Sequence, residues 1–301
     1  MRQRGRYKFV CITEITLILT IRTNTISKMK TVIVATDFSK IAINATDYAV
    51  KAAQQRGYAL VLFHLCNQSI HALNSMASAQ TFEHLLSKEK NKLAAAAEEI
   101  NMKSKVDTLY HLATGNFLEE LQRCIEWYNA DMVIMGMAGK SFDQDLLGNS
   151  TTGAINQLKF PVLAIPEDAV FGGISRVLFA VDMLRGVQKS VLETVTNLVQ
   201  DFGATVEVFH VNNKIQELGA VEIINLNVQL FDTEMDGIQY SYKNVASNKI
   251  VEAIKNEIVA TQSDLLIMVP QRYGFWESIV HKSKTRMMAS GLQIPLLSLP
   301  L

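Results

Sequence analysis

Short apolar runs, several of them closed by an acid, alternate along this chain with stretches whose apolar positions recur every three or four residues. Residues 31 to 36 are a short β-branched run ending at Asp37, as expected of a parallel strand buried on both faces. Ile41, Ala45, Tyr48, Ala49 and Ala52 then follow helical spacing, and Gly57 supplies a stop. A strand is predicted at 59–66, an alanine-rich helix through Leu93 to Ile100, and a strand at 106–112. Gly115 breaks to a helix carrying Phe117, Leu118, Leu121, Cys124, Ile125 and Tyr128. A strand at 131–135, a glycine segment, a short helix near 150–158 and a strand at 162–165 complete this part.

The order then repeats. Strands are predicted near 176–181, 205–211, 238–243, 264–269 and 295–299, with helices between them at 186–202, 217–232, 246–261 and 282–290. The repeat is also visible residue by residue. Thr31 to Asp37 returns as Arg176 to Asp182, Phe63-His64-Leu65 as Phe209-His210-Val211, Asp131 to Met135 as Asp264 to Met268, and Pro161-Val162-Leu163 as Pro295-Leu296-Leu297. The offset is too long for a solenoid, so each copy is expected to be a whole domain. The expected division is 1–29 as an extension without a role, 30–168 as the first domain and 174–301 as the second. Phe171-Gly172-Gly173 is the linker between them.

Strands separated by helices imply right-handed crossovers and a doubly wound, mostly parallel five-stranded sheet in each copy, a Rossmann-like α/β class. Prolines flank the last strand of each copy, Pro161 with Pro166 and Pro295 with Pro300. If that strand lies at an edge, the two edges can satisfy each other across a pseudo-two-fold axis. The expectation is an internal pseudo-dimer, with association into a homodimer left open.

Composition narrows the function. Lysine plus arginine equals aspartate plus glutamate at 29 each, so no overall field exists to hold nucleic acid or an anionic membrane. No apolar run is long enough to span a bilayer. Cys11, Cys66 and Cys124 show no C-x-x-C spacing and are read as thiols in a reducing, cytoplasmic compartment. Arg2, Arg4, Arg6 and Lys8 precede an apolar stretch, yet Glu14 interrupts it, Arg22 closes it and no small-x-small cleavage site follows before Met29. The expected reading is that Met29 begins the functional protein.

Candidate chemistry lies where parallel sheets bind ligands, beyond the carboxyl ends of their strands. Asp37, Leu65 and Gly136 end three strands and would surround one crevice, with Asp37 accepting from a sugar hydroxyl or a base. Gly136 and Gly139 could turn backbone amides inward around a ribose and phosphates. Gly148, Asn149, Ser150 and Thr151 stand where the next helix begins, a terminus suited to an anion. The second copy keeps Asp182 but replaces the glycines with Val269-Pro270-Gln271-Arg272-Tyr273-Gly274-Phe275-Trp276, a pocket expected to be filled by its own side chains. His64 and His210 occupy equivalent places, which favours packing or hydrogen bonding over metal binding.

These residues resemble the universal stress protein family over nearly all of 30–301, as a tandem pair. The resemblance rests on Ala35-Thr36-Asp37-Phe38-Ser39, Phe63-His64-Leu65, the Gly115 break, Asp131 to Gly136, and the glycine segment ending in Phe160-Pro161-Val162-Leu163. It implies an ATP-binding regulatory protein, with Mg²⁺ an accompanying ion. The implied nucleotide-binding set is Ala35, Thr36, Asp37, Leu65, Gly136, Gly139, Gly148, Asn149, Ser150 and Thr151. ATP-binding members run G, two residues, G, nine residues, G, then Ser or Thr. Here only residues 140–147 separate Gly139 from Gly148, and Asn149 stands where the family has a hydroxyl. Asp143 and Asp145 add negative charge inside the loop, which either ligates Mg²⁺ or repels phosphates.

The expected function is therefore a nucleotide-dependent sensor or adaptor acting on a protein partner, with no catalytic residues. The alternative is a protein-interaction scaffold of the same fold that binds no nucleotide. An enzyme on a related fold lacks support, because no S-G-G-x-D-S or G-x(4)-GK[ST] loop and no nucleophile–base pair occurs in the crevice.

Overall fold

The protein is described from a computed structural model, over residues 30–66, 79–137, 148–212, 220–269 and 294–300. The amino-terminal extension, Gly139, Asp143, Asp145, the 270–276 replacement and the helix expected at 282–290 lie outside the described residues.

Each half follows one plan. The first comprises β1 (Thr31–Ala35), α1 (Lys40–Arg56), β2 (Ala59–Leu65), α2 (Ala79–Ser104), β3 (Thr108–Ala113), α3 (Phe117–Tyr128), β4 (Met132–Met137), α4 (Gly148–Gln157) and β5 (Val162–Pro166). The second comprises β6 (Arg176–Ala180), α5 (Lys189–Phe202), β7 (Thr205–Asn212), α6 (Ala220–Glu234), β8 (Tyr240–Ala246), α7 (Ile250–Thr261), β9 (Leu265–Met268) and β10 (Leu296–Ser298).

The strands form one ten-stranded sheet in the order β3-β2-β1-β4-β5-β10-β9-β6-β7-β8. Within each half every pairing is parallel. Among the described residues, the one antiparallel pairing joins β5 to β10, with Leu296 opposite Ala164 and Ser298 opposite Val162. Two doubly wound five-stranded sheets thus close each other's last edge, which is the internal pseudo-dimer that the flanking prolines suggested. Strand β1 pairs β2 on one side and β4 on the other, so topology reverses at its carboxyl end.

Local chemistry explains the element ends. Ser39 caps α1, its Oγ accepting from Ala42 N at 3.3 Å, and Gly57 closes the helix in the left-handed region at φ 69°. Asn116 caps α3 by accepting from Leu118 N and Glu119 N. The repeated acids Asp131 and Asp264 turn out to be architectural. Asp131 Oδ2 accepts from Thr31 N at 2.8 Å, and Asp264 Oδ2 accepts from Ser175 N and Arg176 N at 2.8 and 2.9 Å, so each anchors the start of its unit's first strand.

The core is continuous across the two halves. On one sheet face, Val32, Ala49, Leu60 and Leu163 of the first half pack in the same cluster as Phe179, Val195, Leu198 and Leu297 of the second. Phe171 lies between Tyr48 and Phe202, at ring-centroid distances of 5.0 and 6.3 Å. Lys30 pairs with Asp201, which also accepts from Tyr58 Oη at 3.1 Å, and the Arg56 guanidinium covers the Phe202 ring at 4.7 Å. Burial and the adjacent Asp201 carboxylate push the Tyr58 phenol well above its usual range, so it stays a donor. With a core shared this widely, the halves are coupled in stability rather than free to tumble.

Candidate functional site

The crevice beyond β1 is built by a loop that satisfies itself. Thr36 N donates to Phe63 O at 2.8 Å, tying the strand end to β2. Thr36 Oγ1 then accepts from Phe38 N at 3.1 Å, Asp37 Oδ1 from Ser39 N at 2.9 Å, and Ser39 Oγ from Ala42 N. These successive side-chain-to-backbone bonds hold a tight turn that delivers the chain into α1. Phe38 takes the left-handed conformation at φ 61°, which is unusual for an aromatic residue. Its ring contacts His64, at 5.1 Å between centroids, and the Lys92 ammonium, at 3.8 Å from its centroid. Lys92 and Glu89 both come from α2, and Glu89 Oε2 lies 3.7 Å from His64 Nε2.

Asp37 is the exposed acid of this loop. Burial alone would raise its carboxyl, but the hydrogen bonds from Ser39 outweigh that and hold it below the usual carboxylate range. It therefore presents a preset negative charge at the topological switch point. Behind it, His64 Nδ1 donates to the Thr36 carbonyl at 2.7 Å. Ala35 and Thr36 are buried, and the Thr36 hydroxyl is spent on Phe38 N. Leu65 ends β2, half-buried, beside the crevice.

Gly136 differs from its expected role. It lies inside β4, paired with Ile165, and has no positive φ. A Cβ there would stand 2.5 Å from Ile41 Cγ2 and 2.9 Å from the Ile41 carbonyl oxygen. Glycine is needed because α1 crosses β4 at that point, not because the chain turns there. Thr151 is likewise structural: it is buried, and its Oγ1 donates to the Gly136 carbonyl at 3.0 Å, fastening α4 to β4. Gly148 and Asn149 form the first turn of α4, and Ser150 in the same turn is exposed. The structure thus gathers Asp37, Leu65 and the start of α4 around the carboxyl ends of β1, β2 and β4.

The second half repeats the crevice with different chemistry. Asp182 Oδ1 accepts from Leu184 N at 3.0 Å, while its other oxygen lies 3.4 Å from Arg185 Nε. Met183, in the place of Phe38, is fully buried. His210 repeats the bond of His64, its Nδ1 lying 3.1 Å from the Val181 carbonyl. Sequence reasoning missed Arg185 as the neutralising partner, although an arginine three residues after the acid was visible.

Elsewhere, an apolar cavity of about 30 Å³ lies at the seam between halves, lined by Tyr48, Ala49 and Ala52 of α1 with Leu198 and Phe202. Small-molecule sites are usually of about 300 Å³ or more, so this is a packing gap. Among the described residues, no group of three His, Cys, Asp or Glu could hold a metal ion, and no helix is long and apolar enough to cross a membrane.

Comparisons with known proteins agree with this layout. Residues 28–166 match the model of the Universal stress protein family. A crystal structure of a universal stress protein from Archaeoglobus fulgidus DSM 4304 superposes with a TM-score of 0.70 at 17% identity, covering 91% of this chain and 99% of that one. A functionally unknown protein from Pseudomonas aeruginosa PAO1 superposes at 0.56 with 13% identity, covering 91% and 93%. At such identities both likenesses establish the fold. No curated protein matches the sequence significantly.

Proposed function

We propose, from the match of residues 28–166 to the Universal stress protein family, that the first half binds an adenine nucleotide and that the protein is a nucleotide-dependent sensor or adaptor. ATP is the proposed ligand, with Mg²⁺ as its counterion, and the proposed setting is the cytoplasm. Binding, not turnover, is the proposed activity. A ligand that orders one surface can bias a partner's binding by its differential affinity alone.

One contrast carries this reading: the acid at the topological switch point of the first half is exposed and makes no ion pair among the described residues, whereas its counterpart Asp182 is engaged by Arg185. An ionised Asp37 accepts from a sugar hydroxyl or a base amine. Across the crevice, the backbone amides of the first turn of α4 and the exposed Ser150 suit phosphate oxygens. Met183, buried where Phe38 stands half-open, favours a different role for the second half. There the engaged acid supports the alternative reading, a scaffold without nucleotide.

Isothermal titration of ATP into the full chain, with Asp37→Ala and Gly139→Val as controls, tests the proposal. Heat from the parent that both variants lose is the expected result. No heat from the parent, or equal heat from all three, overturns it in favour of the scaffold.

A further inference from the structure

The second half contains a charge cluster in which Glu257 is buried, Glu207 half-buried and Lys243 exposed, and among the described residues the first half has no counterpart of it. Glu207 on β7, Lys243 on β8 and Glu257 on α7 meet on one sheet face, because Glu207 pairs with Ser241 and Lys243 lies two residues further along the same strand. Lys243 Nζ donates to Glu257 Oε1 at 2.6 Å. Glu257 is 6% exposed. Glu207 Oε1 is buried and finds no donor among the described residues. By strand register and helix position, the equivalent residues of the first half are Val61, His111 and Cys124, of which Val61 and Cys124 are buried in the core. Two carboxylates therefore stand where the same fold packs Val61 and Cys124 in the first half.

The single lysine is committed to Glu257. Lys243 is itself exposed, so the desolvated part of the cluster is Glu257 with Glu207 Oε1; two carboxylates beside one ammonium leave a net negative charge there, and neither carboxylate can donate to the other. One proton resolves both problems, since a protonated Glu207 donates to Glu257 and the cluster becomes neutral. We propose that a proton shared by Glu207 and Glu257 fastens α7 to β7, so that the second half carries a pH-operated latch. Burial and the Glu257 charge both raise the Glu207 carboxyl, in keeping with that arrangement.

The other groups facing the cluster do not replace the proton. From β8 come Ser241 and Lys243, and from α7 Glu257 and Thr261, whose Oγ1 is spent on the Glu257 carbonyl. From β6, Leu178 sits directly beside Glu207, and the Arg176 Nε is bound to the Gln262 carbonyl. A carboxyl held above its unfolded value contributes stability that is full at acid pH and is lost as pH rises through the folded value. The latch is thus closed on the acid side and loosens toward the alkaline side, releasing α7 and not the shared core.

Two measurements on the full chain test this. Carbon-13 NMR of the glutamate carboxyls, followed against pH, is expected to show Glu207 titrating above the other glutamates; ordinary titration of both Glu207 and Glu257 overturns the proposal. Hydrogen exchange of α7 amides, compared between the parent and Glu207→Gln at each pH, is expected to show protection in the parent falling by up to about tenfold per pH unit relative to the variant, the limit for one proton. Glutamine keeps the donor and removes the titration. Parallel profiles overturn the proposal, and the carboxyl titration decides alone if the variant fails to fold.

Discussion

Gly136→Ala separates a glycine needed for packing from one needed for a phosphate loop. The added methyl would stand 2.5 Å from Ile41 Cγ2 and 2.9 Å from the Ile41 carbonyl oxygen. The first clash can be relieved at a rotamer cost, although β-branched side chains in helices have one strongly preferred χ1. The second cannot, because that oxygen belongs to the first turn of α1. The helix must therefore move by some tenths of an ångström, and it is pinned. Ser39 caps it, Asn44 Nδ2 donates to the Pro166 and Ala169 carbonyls at 2.9 and 3.1 Å, and Tyr48 is locked against Phe171. Overpacking costs about 1–3 kcal/mol, and a pinned element argues for the upper part, about 2–3 kcal/mol. With a urea slope of about 3 kcal/mol/M, the midpoint should fall by roughly 0.7–1 M at unchanged slope. Ile41→Ala in the same background removes only the side-chain contact and should recover less than half the loss. A midpoint within roughly 0.2 M of the parent would refute the close-approach argument and return Gly136 to the loop.

Two further outcomes follow from the same structure. Ser39→Ala removes the α1 cap and one bond to Asp37, and should cost about 1 kcal/mol in urea unfolding at neutral pH. Because Asp37 is held below its unfolded value, its contribution is present above that value and fades as pH falls through the folded one; the variant should show a shallower acid-side loss, and an identical profile would contradict the Ser39–Asp37 bond. Burial pushes the Cys124 thiol up to about 12, so iodoacetamide at pH 8 should leave it unlabelled in the native chain and alkylate it fully in urea, as read by mass mapping of its peptide. Equal labelling in both states would mean that the α3 face opens.

The duplication, the alternation of strands and helices, and the crevice acid were all legible in the order of residues. Apolar period and turn chemistry are local properties, and they place β1 through β10 within a few residues of where they stand. Even the seam between halves was foreshadowed by prolines at both ends of β5 and β10, since an edge that must not grow is marked in sequence. What position along the chain cannot express is distance between segments remote from one another. Gly136 reads as a loop glycine after an apolar run until Ile41, from a helix far earlier, is found against it. Thr151 reads as an anion ligand until its hydroxyl is found on the Gly136 carbonyl. The acids Asp131 and Asp264 read only as landmarks of the repeat until they are seen anchoring Thr31 and Arg176. Glu207, Lys243 and Glu257 look like ordinary surface charges on three separate elements, and only the pairing of β7 with β8 beneath α7 brings them together and buries Glu257. Sequence by itself determined which elements form, because periodicity and caps act between neighbours. Tertiary structure decided which polar groups stay exposed at the crevice and which are spent on the protein, because burial and hydrogen bonding are settled by whatever the fold brings alongside.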